Sequence, residues 1–233
     1  MKKFPPDDIR NVAFIGHQGA GKTSIGEAIL FLAGVNNRVG SVPEKTSLLD
    51  FEPEEKDKGA SLSTAIAAVE WKKKKVTILD TPGDANFFSD SQNALTVADM
   101  AAVVVSAVDG VQVQTELGWT LATELNLPRL VVITKMDKER ADFQGTLADV
   151  AATLSNKVAP VTLPIGKEDG FEGVVDLLRM KALRFQADGS GKFKEALDFW
   201  NEKADMALSD AVVLRLGLGH DTKALENAKM FQT

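Results

Sequence analysis

Two periods alternate along the apolar positions of the chain, and together they predict an α/β order. Residues 10–15 (RNVAFI) form a short apolar run suited to a buried strand, and residues 24–32 carry apolar side chains at helical spacing. Residues 35–62 have no sustained periodicity and are crowded with Gly, Pro, Asn and charge, the composition of a long functional loop. Residues 63–71 (STAIAAVEW) alternate in part and residues 75–79 (KVTIL) read as a buried strand, so the lysines between them make the turn of an antiparallel hairpin. A helix is expected over 87–98, a strand over 100–108 (MAAVVVSAV), a helix over 115–125, a strand over 129–133 (RLVVI) and a helix over 140–154. A run such as MAAVVVSAV fills a parallel sheet covered on both faces, and strands alternating with helices imply a doubly wound sheet.

Beyond Ala159 the pattern changes, which divides the chain into residues 1–159 and 160–233. Residues 160–165 (PVTLPI) are extended, 171–183 mix short strand and helix signals, and Gly189-Ser190-Gly191 reads as a flexible link. A helix is expected over 192–208, with Phe193, Leu197, Trp200 and Ala204 on one face. Residues 212–216 (VVLRL) suggest a last strand, followed by the loop 217–220 and a short helix from Thr222.

The first strand and helix enclose Gly16-His17-Gln18-Gly19-Ala20-Gly21-Lys22-Thr23, a loop that holds phosphates when it joins a strand to a helix. Its glycines allow successive N–H groups to face one concavity, and the helix that opens at Gly21 adds its positive dipole end. Lys22 would reach the β and γ phosphates, and the Thr23 hydroxyl would ligate Mg²⁺. Asp80, at the end of a strand in Asp80-Thr81-Pro82-Gly83, is placed to hold the same metal. Gly83 leaves room for a backbone N–H to meet the γ-phosphate. Thr134-Lys135-Met136-Asp137 closes a later strand at the edge where ligands bind in open α/β sheets. There Asp137 can accept N1–H and N2–H₂ of guanine, a donor pair that adenine lacks, while the Lys135 stem packs across the base. The nucleotide set is thus His17, Gln18, Gly19, Ala20, Gly21, Lys22, Thr23, Ser24, Thr134, Lys135 and Asp137.

Composition narrows the partners. With 27 basic against 33 acidic residues, the net charge of −6 argues against binding nucleic acid through overall positive charge, and the lysines 72–75 are most simply a solvated turn. No apolar run approaches the roughly 20 residues of a membrane span, and Met1-Lys2-Lys3-Phe4-Pro5 opens no secretory signal. Without cysteine there is neither a disulfide framework nor a thiolate metal site, so a cytoplasmic location is expected.

The sequence resembles the nucleotide-binding domain of elongation factor G and related translational GTPases, closest to the elongation factor G-like branch. The resemblance runs through the phosphate loop, residues 50–61 (DFEPEEKDKGAS), Asp80-Thr81-Pro82-Gly83, residues 107–115 (AVDGVQVQT), Lys135-Met136-Asp137, residues 163–166 (LPIG) and 173–177 (GVVDL). It implies a Ras-like P-loop GTPase fold with a partial inserted subdomain from Pro160, GTP or GDP with Mg²⁺ as ligands, and a ribosomal partner. It also implies that residues 35–62 are the first switch, with Ser61 supplying the metal-facing hydroxyl where the family has threonine.

The sequence departs from that family at several positions. Asp84 stands where hydrolysing members carry a water-positioning histidine, and an ionised carboxylate would be repelled by the γ-phosphate. Lys22, Gly83 and Asp84 therefore form the hydrolytic set, with hydrolysis slow or absent. Thr134 replaces asparagine, Gly19 replaces the translocase aspartate, and no Ser-Ala-Leu or Ser-Ala-Lys follows Thr134 to contact the guanine oxygen. The domains that follow in full-length elongation factors are also missing, so translocation by this chain alone is not expected. Two other readings remain: a non-hydrolysing switch or ribosome-binding module, and a truncated remnant without stable nucleotide binding.

Overall fold

A computed structural model of the chain describes residues 3–186 and 193–196. It divides into two compact units, Met1–Lys135 with Asp142–Leu154, and Met136–Ala141 with the chain from Ser155 onward.

In the first unit β1 (Ile9–Ile15) leads through the glycine-rich loop into α1 (Lys22–Leu32). Then come α2 (Pro53–Lys58), β2 (Ala65–Trp71), β3 (Lys74–Asp80), α3 (Phe88–Thr96), β4 (Met100–Ser106), α4 (Val113–Glu124), β5 (Arg129–Thr134) and α5 (Phe143–Thr153). The strands form one sheet in the order β2-β3-β1-β4-β5. β1 runs parallel to β3 and β4, and β4 parallel to β5, while β2 alone is antiparallel. The four parallel strands therefore end on one edge of the sheet, and the loops leaving Ile15, Asp80, Ser106 and Thr134 share it.

Both faces of this sheet are covered, which explains the apolar run of β4, where every residue after Met100 is buried. Phe14, Ile78 and Ala102 pack against Ile25 and Ile29 of α1 on one face. Ile15 points to the other, where Gly118 brings α4 so near that an added Cβ would lie 3.0 Å from its Cδ1. The expected doubly wound, mainly parallel architecture with one hairpin strand is what the chain forms. The hairpin closes on Lys72 and Lys73, both with positive φ (47° and 67°), a turn that favours Asn and Gly because a Cβ is strained there.

The expected structureless loop over 35–62 contains α2, and the signals were local. Pro53 occupies the first helical turn, Glu52 and Glu55 form a reciprocal cap, and Gly59 ends the helix at φ 65°.

The second unit is an antiparallel sheet of β6 (Thr162–Ile165), β7 (Gly173–Asp176), β8 (Lys181–Phe185) and β9 (Phe193–Ala196), paired in that order. Asp176 Oδ1 accepts from the N–H groups of Leu178 and Arg179 and so tightens the turn between β7 and β8. The helix expected from Lys192 is overturned at Phe193–Ala196, which pair with β8 instead. An open strand edge offers a ladder of N–H and C=O groups, and a short isolated helix has no comparable partner. The remainder of that helix, the Gly189–Gly191 link, the strand over 212–216, the loop 217–220 and the helix from Thr222 lie outside the described residues. Among the described residues no helix is long and apolar enough to cross a membrane.

Candidate functional site

The loop after β1 turns on three glycines with positive φ, Gly16 at 144°, Gly19 at 76° and Gly21 at 99°, and Gly21 is the N-cap of α1. At Gly16 a side chain is excluded twice, because a Cβ would also run into the Val104 carbonyl. Lys22 folds back under the loop, and its Nζ donates to the carbonyls of Gly16 and His17, each at 2.9 Å. His17 Nδ1 is buried with no hydrogen-bond partner, whereas Gln18, Gly19 and Ser24 are exposed around the loop and Ala20 is buried.

Asp80 ends β3 fully buried, and neither of its carboxylate oxygens has a hydrogen-bond partner. Burial raises its pKa, and the charge of the Lys22 ammonium opposes that shift. Burial likewise lowers the pKa of Lys22, while Asp80 and Asp50 act to raise it. Next to them the Thr23 and Ser61 hydroxyls stand 3.2 Å apart, and Ser61 Oγ donates to Asp50 Oδ1 at 2.7 Å. Asp50 is only 2% exposed, its Oδ2 has no partner, and burial pushes its pKa up. Unpartnered buried carboxylate oxygens beside two hydroxyls and an ammonium form a hard oxygen set suited to Mg²⁺ and phosphate. Thr23, Ser61 and Asp80 would hold the metal, with Asp50 beside them. Among the described residues no cluster of three or more His, Cys, Asp or Glu forms a site of its own.

Pro82 and Gly83 follow β3 as buried residues, and Gly83 lies so close to Lys22 Nζ and the Gln18 N–H that no Cβ fits. Thr81 ties this segment to β1 by donating to the Phe14 carbonyl at 2.6 Å. Asp84 is turned to local use: its Oδ1 accepts from the backbone N–H of Asn86 at 2.8 Å and from Asn86 Nδ2 at 2.9 Å, capping a single 3₁₀ turn.

The residues assigned to the base are arranged differently. Thr134 Oγ1 donates to the Ala20 carbonyl at 2.6 Å and lies 3.2 Å from the Val105 carbonyl, so it braces the phosphate loop. Lys135 has φ 58°, and its Nζ meets Asp109 at 3.2 Å. Asp137 belongs to the second unit, where it is exposed and paired with Lys138 at 2.7 Å.

Sequence reasoning missed Asp50 and two further buried carboxylates, Glu27 and Glu55. Asp50 and Glu55 sit in a charged segment where nothing in their spacing separates a buried acid from a solvated one, whereas Glu27 is the only acid in a largely apolar helix, and that contrast could have singled it out. For Glu55 the helix signals around it could have helped.

Residues 7–215 match the family model described as "Elongation factor Tu GTP binding domain". The chain is 42% identical over 181 residues to an elongation factor G-like protein of Thermotoga maritima, covering 78% of this chain and 26% of that one. It is 36% identical over 206 residues to elongation factor G of Fervidobacterium nodosum, covering 88% of this chain and 30% of that one. A crystal structure from Thermus thermophilus superposes with a TM-score of 0.75 at 35% identity, over 96% of this chain and 36% of its own. The chain thus spans roughly a quarter to a third of the length of the curated relatives it matches. With the phosphate loop, the Asp80 turn and the parallel sheet in place, a match across that range means that the chain belongs to the elongation factor Tu GTP-binding domain family.

Proposed function

We propose that this chain is the guanine-nucleotide-binding domain of an elongation factor G-like translation factor, taking GTP or GDP with Mg²⁺ and working with the ribosome in the cytoplasm. The observation that carries the reading is the buried carboxylate of Asp80, both oxygens unpartnered, beside Lys22 and Thr23 at the mouth of the glycine loop. Backbone N–H groups of residues 17–24 and the Lys22 ammonium bind the phosphates, and Asp137 reads the guanine edge with Lys135 against its ring. Mg²⁺, when bound, offsets charge on the β and γ phosphates. The antiparallel unit from Pro160 is the inserted subdomain of this factor.

Hydrolysis is attack of water on the γ-phosphate, and here it is slow. Asp84 already caps Asn86, and its charge opposes a nearby phosphate, so it is a poor group for positioning water. That favours a second reading within the same family, a switch that binds and releases nucleotide with little turnover. A titration with a fluorescent GDP analogue in Mg²⁺, competed by GTP, GDP and ATP, tests binding; displacement by guanine nucleotides alone is expected, and equal displacement by ATP overturns the guanine assignment. Multiple-turnover phosphate release then tests hydrolysis. Asp84→His is expected to raise it, and an unchanged rate in a variant that binds GTP overturns the role given to Asp84.

A further inference from the structure

Glu27 lies on α1, four residues after Thr23 and hence on the same helix face, and it is 1% exposed. Its Oε1 accepts three hydrogen bonds from the segment between α1 and β2: Ser47 Oγ at 2.7 Å, the Leu48 N–H at 2.6 Å and the Leu49 N–H at 2.9 Å. Gly40 packs against the other oxygen so closely that no Cβ fits there. Ser47 passes the contact on, since its hydroxyl oxygen accepts from the N–H groups of Leu49 and Asp50 at 3.1 and 3.0 Å. Asp50 accepts from Ser61, and Ser61 meets Thr23, so the chain of contacts returns to the helix on which it began. Glu55 holds the far end, accepting from the N–H groups of Leu62 and Ser63 at 2.9 and 3.3 Å.

We propose that Glu27 is a positioning residue that couples the nucleotide loop to residues 47–61: through Ser47 and Asp50 it sets where the Ser61 hydroxyl stands against Thr23. A buried carboxylate that accepts several N–H and O–H donors is costly to displace, because each donor is left unpaired in a dry site. Glu27 therefore fixes a segment that has little apolar anchorage of its own. Leu49 is its buried apolar anchor, while Leu48 and Phe51 are exposed. The proposal rests on the guanine-nucleotide reading for its consequence, but the hydrogen-bonded circuit is a property of the chain by itself.

The test pairs two measurements on the full chain. Amide hydrogen exchange of the nucleotide-free protein is expected to quicken in Glu27→Ala across 47–50 and also across 60–63, which Glu27 does not touch. Glu27→Gln, which keeps a carbonyl acceptor, restores protection. Dissociation of a fluorescent GDP analogue in Mg²⁺ is expected to be about tenfold faster in Glu27→Ala, the size of losing one charge-assisted hydrogen bond. With Mg²⁺ removed by EDTA, the two proteins converge. Ser47→Ala, which leaves α1 intact, is expected to act in the same direction and not to add to Glu27→Ala in the double variant. Faster exchange confined to 47–50, or equal acceleration with and without Mg²⁺, overturns the coupling. Absence of GDP binding by the wild-type chain overturns the nucleotide reading instead, and the exchange result still decides the circuit.

Discussion

The phosphate end of the sheet and the residues assigned to the base hold their charges in opposite ways. Lys22, Asp50 and Asp80 are nearly or fully buried, at 5%, 2% and 0% exposure. Lys22 is fixed by two carbonyls and Asp50 by the Ser61 hydroxyl. Lys135 and Asp137 sit in single ion pairs whose side chains are 33–64% exposed. Buried charges are arranged before any ligand arrives and are costly to disturb, whereas exposed pairs exchange partners for little free energy. On the proposed reading, phosphate affinity would be built into the fold, and guanine selection would fall to side chains that must leave a neighbour to make it. Thr134 stands between these regimes, because its hydroxyl braces the phosphate loop at Ala20.

The comparison breaks first at Lys22. Lys22→Met removes the ammonium while keeping the stem, and GDP affinity measured calorimetrically is expected to fall by more than about 100-fold, as for loss of several charge-assisted contacts. Retained affinity would mean that the backbone nest alone holds the phosphates. Asp137→Ala is expected to weaken GDP by about 10- to 100-fold, as for a lost bidentate contact to a base edge. Its thermal midpoint should not move, since the side chain is exposed; a fall in midpoint would place Asp137 in the folded frame instead. Thr134→Val leaves the Ala20 carbonyl without its donor, and urea unfolding should show a loss of about 1–2 kcal/mol, with a several-fold weaker GDP complex. Lys138→Ala, at the small end, should change GDP affinity by less than about threefold and leave the thermal midpoint in place, as expected of a surface ion pair. A large loss there would show that the pair with Asp137 is needed to aim the carboxylate.

Legibility in the sequence follows the same division. The parallel sheet was readable because runs such as MAAVVVS in β4 and RLVVIT in β5 carry their burial in their composition. The turn of the glycine-rich loop is legible because its backbone geometry demands glycine at Gly16 and Gly21. Helix α2 is not legible as a helix although Pro53 opens it and Gly59 ends it, because the five charged residues after Pro53 give no apolar period to find. The segment Phe193–Ala196 reads in sequence as the start of a helix, since nothing local reveals that β8 has an edge waiting to be paired.

By itself, then, the sequence determined the order of strands and helices, the glycine-rich loop before α1 and the turn that carries Asp80, because these depend on local backbone freedom and on side-chain chemistry at fixed spacing. Only the tertiary structure decided which acids are buried. Asp50 and Glu55 look like their solvated neighbours in the chain and Glu27 is a lone acid on a largely apolar helix, and all three are buried because folding removes water from them and supplies N–H and hydroxyl donors from other segments. It also decided the use of Thr134 and Asp84, whose oxygens meet the Ala20 carbonyl and Asn86. Hydrogen bonds of this kind are set by where the chain brings its groups together, and spacing along the sequence does not encode them.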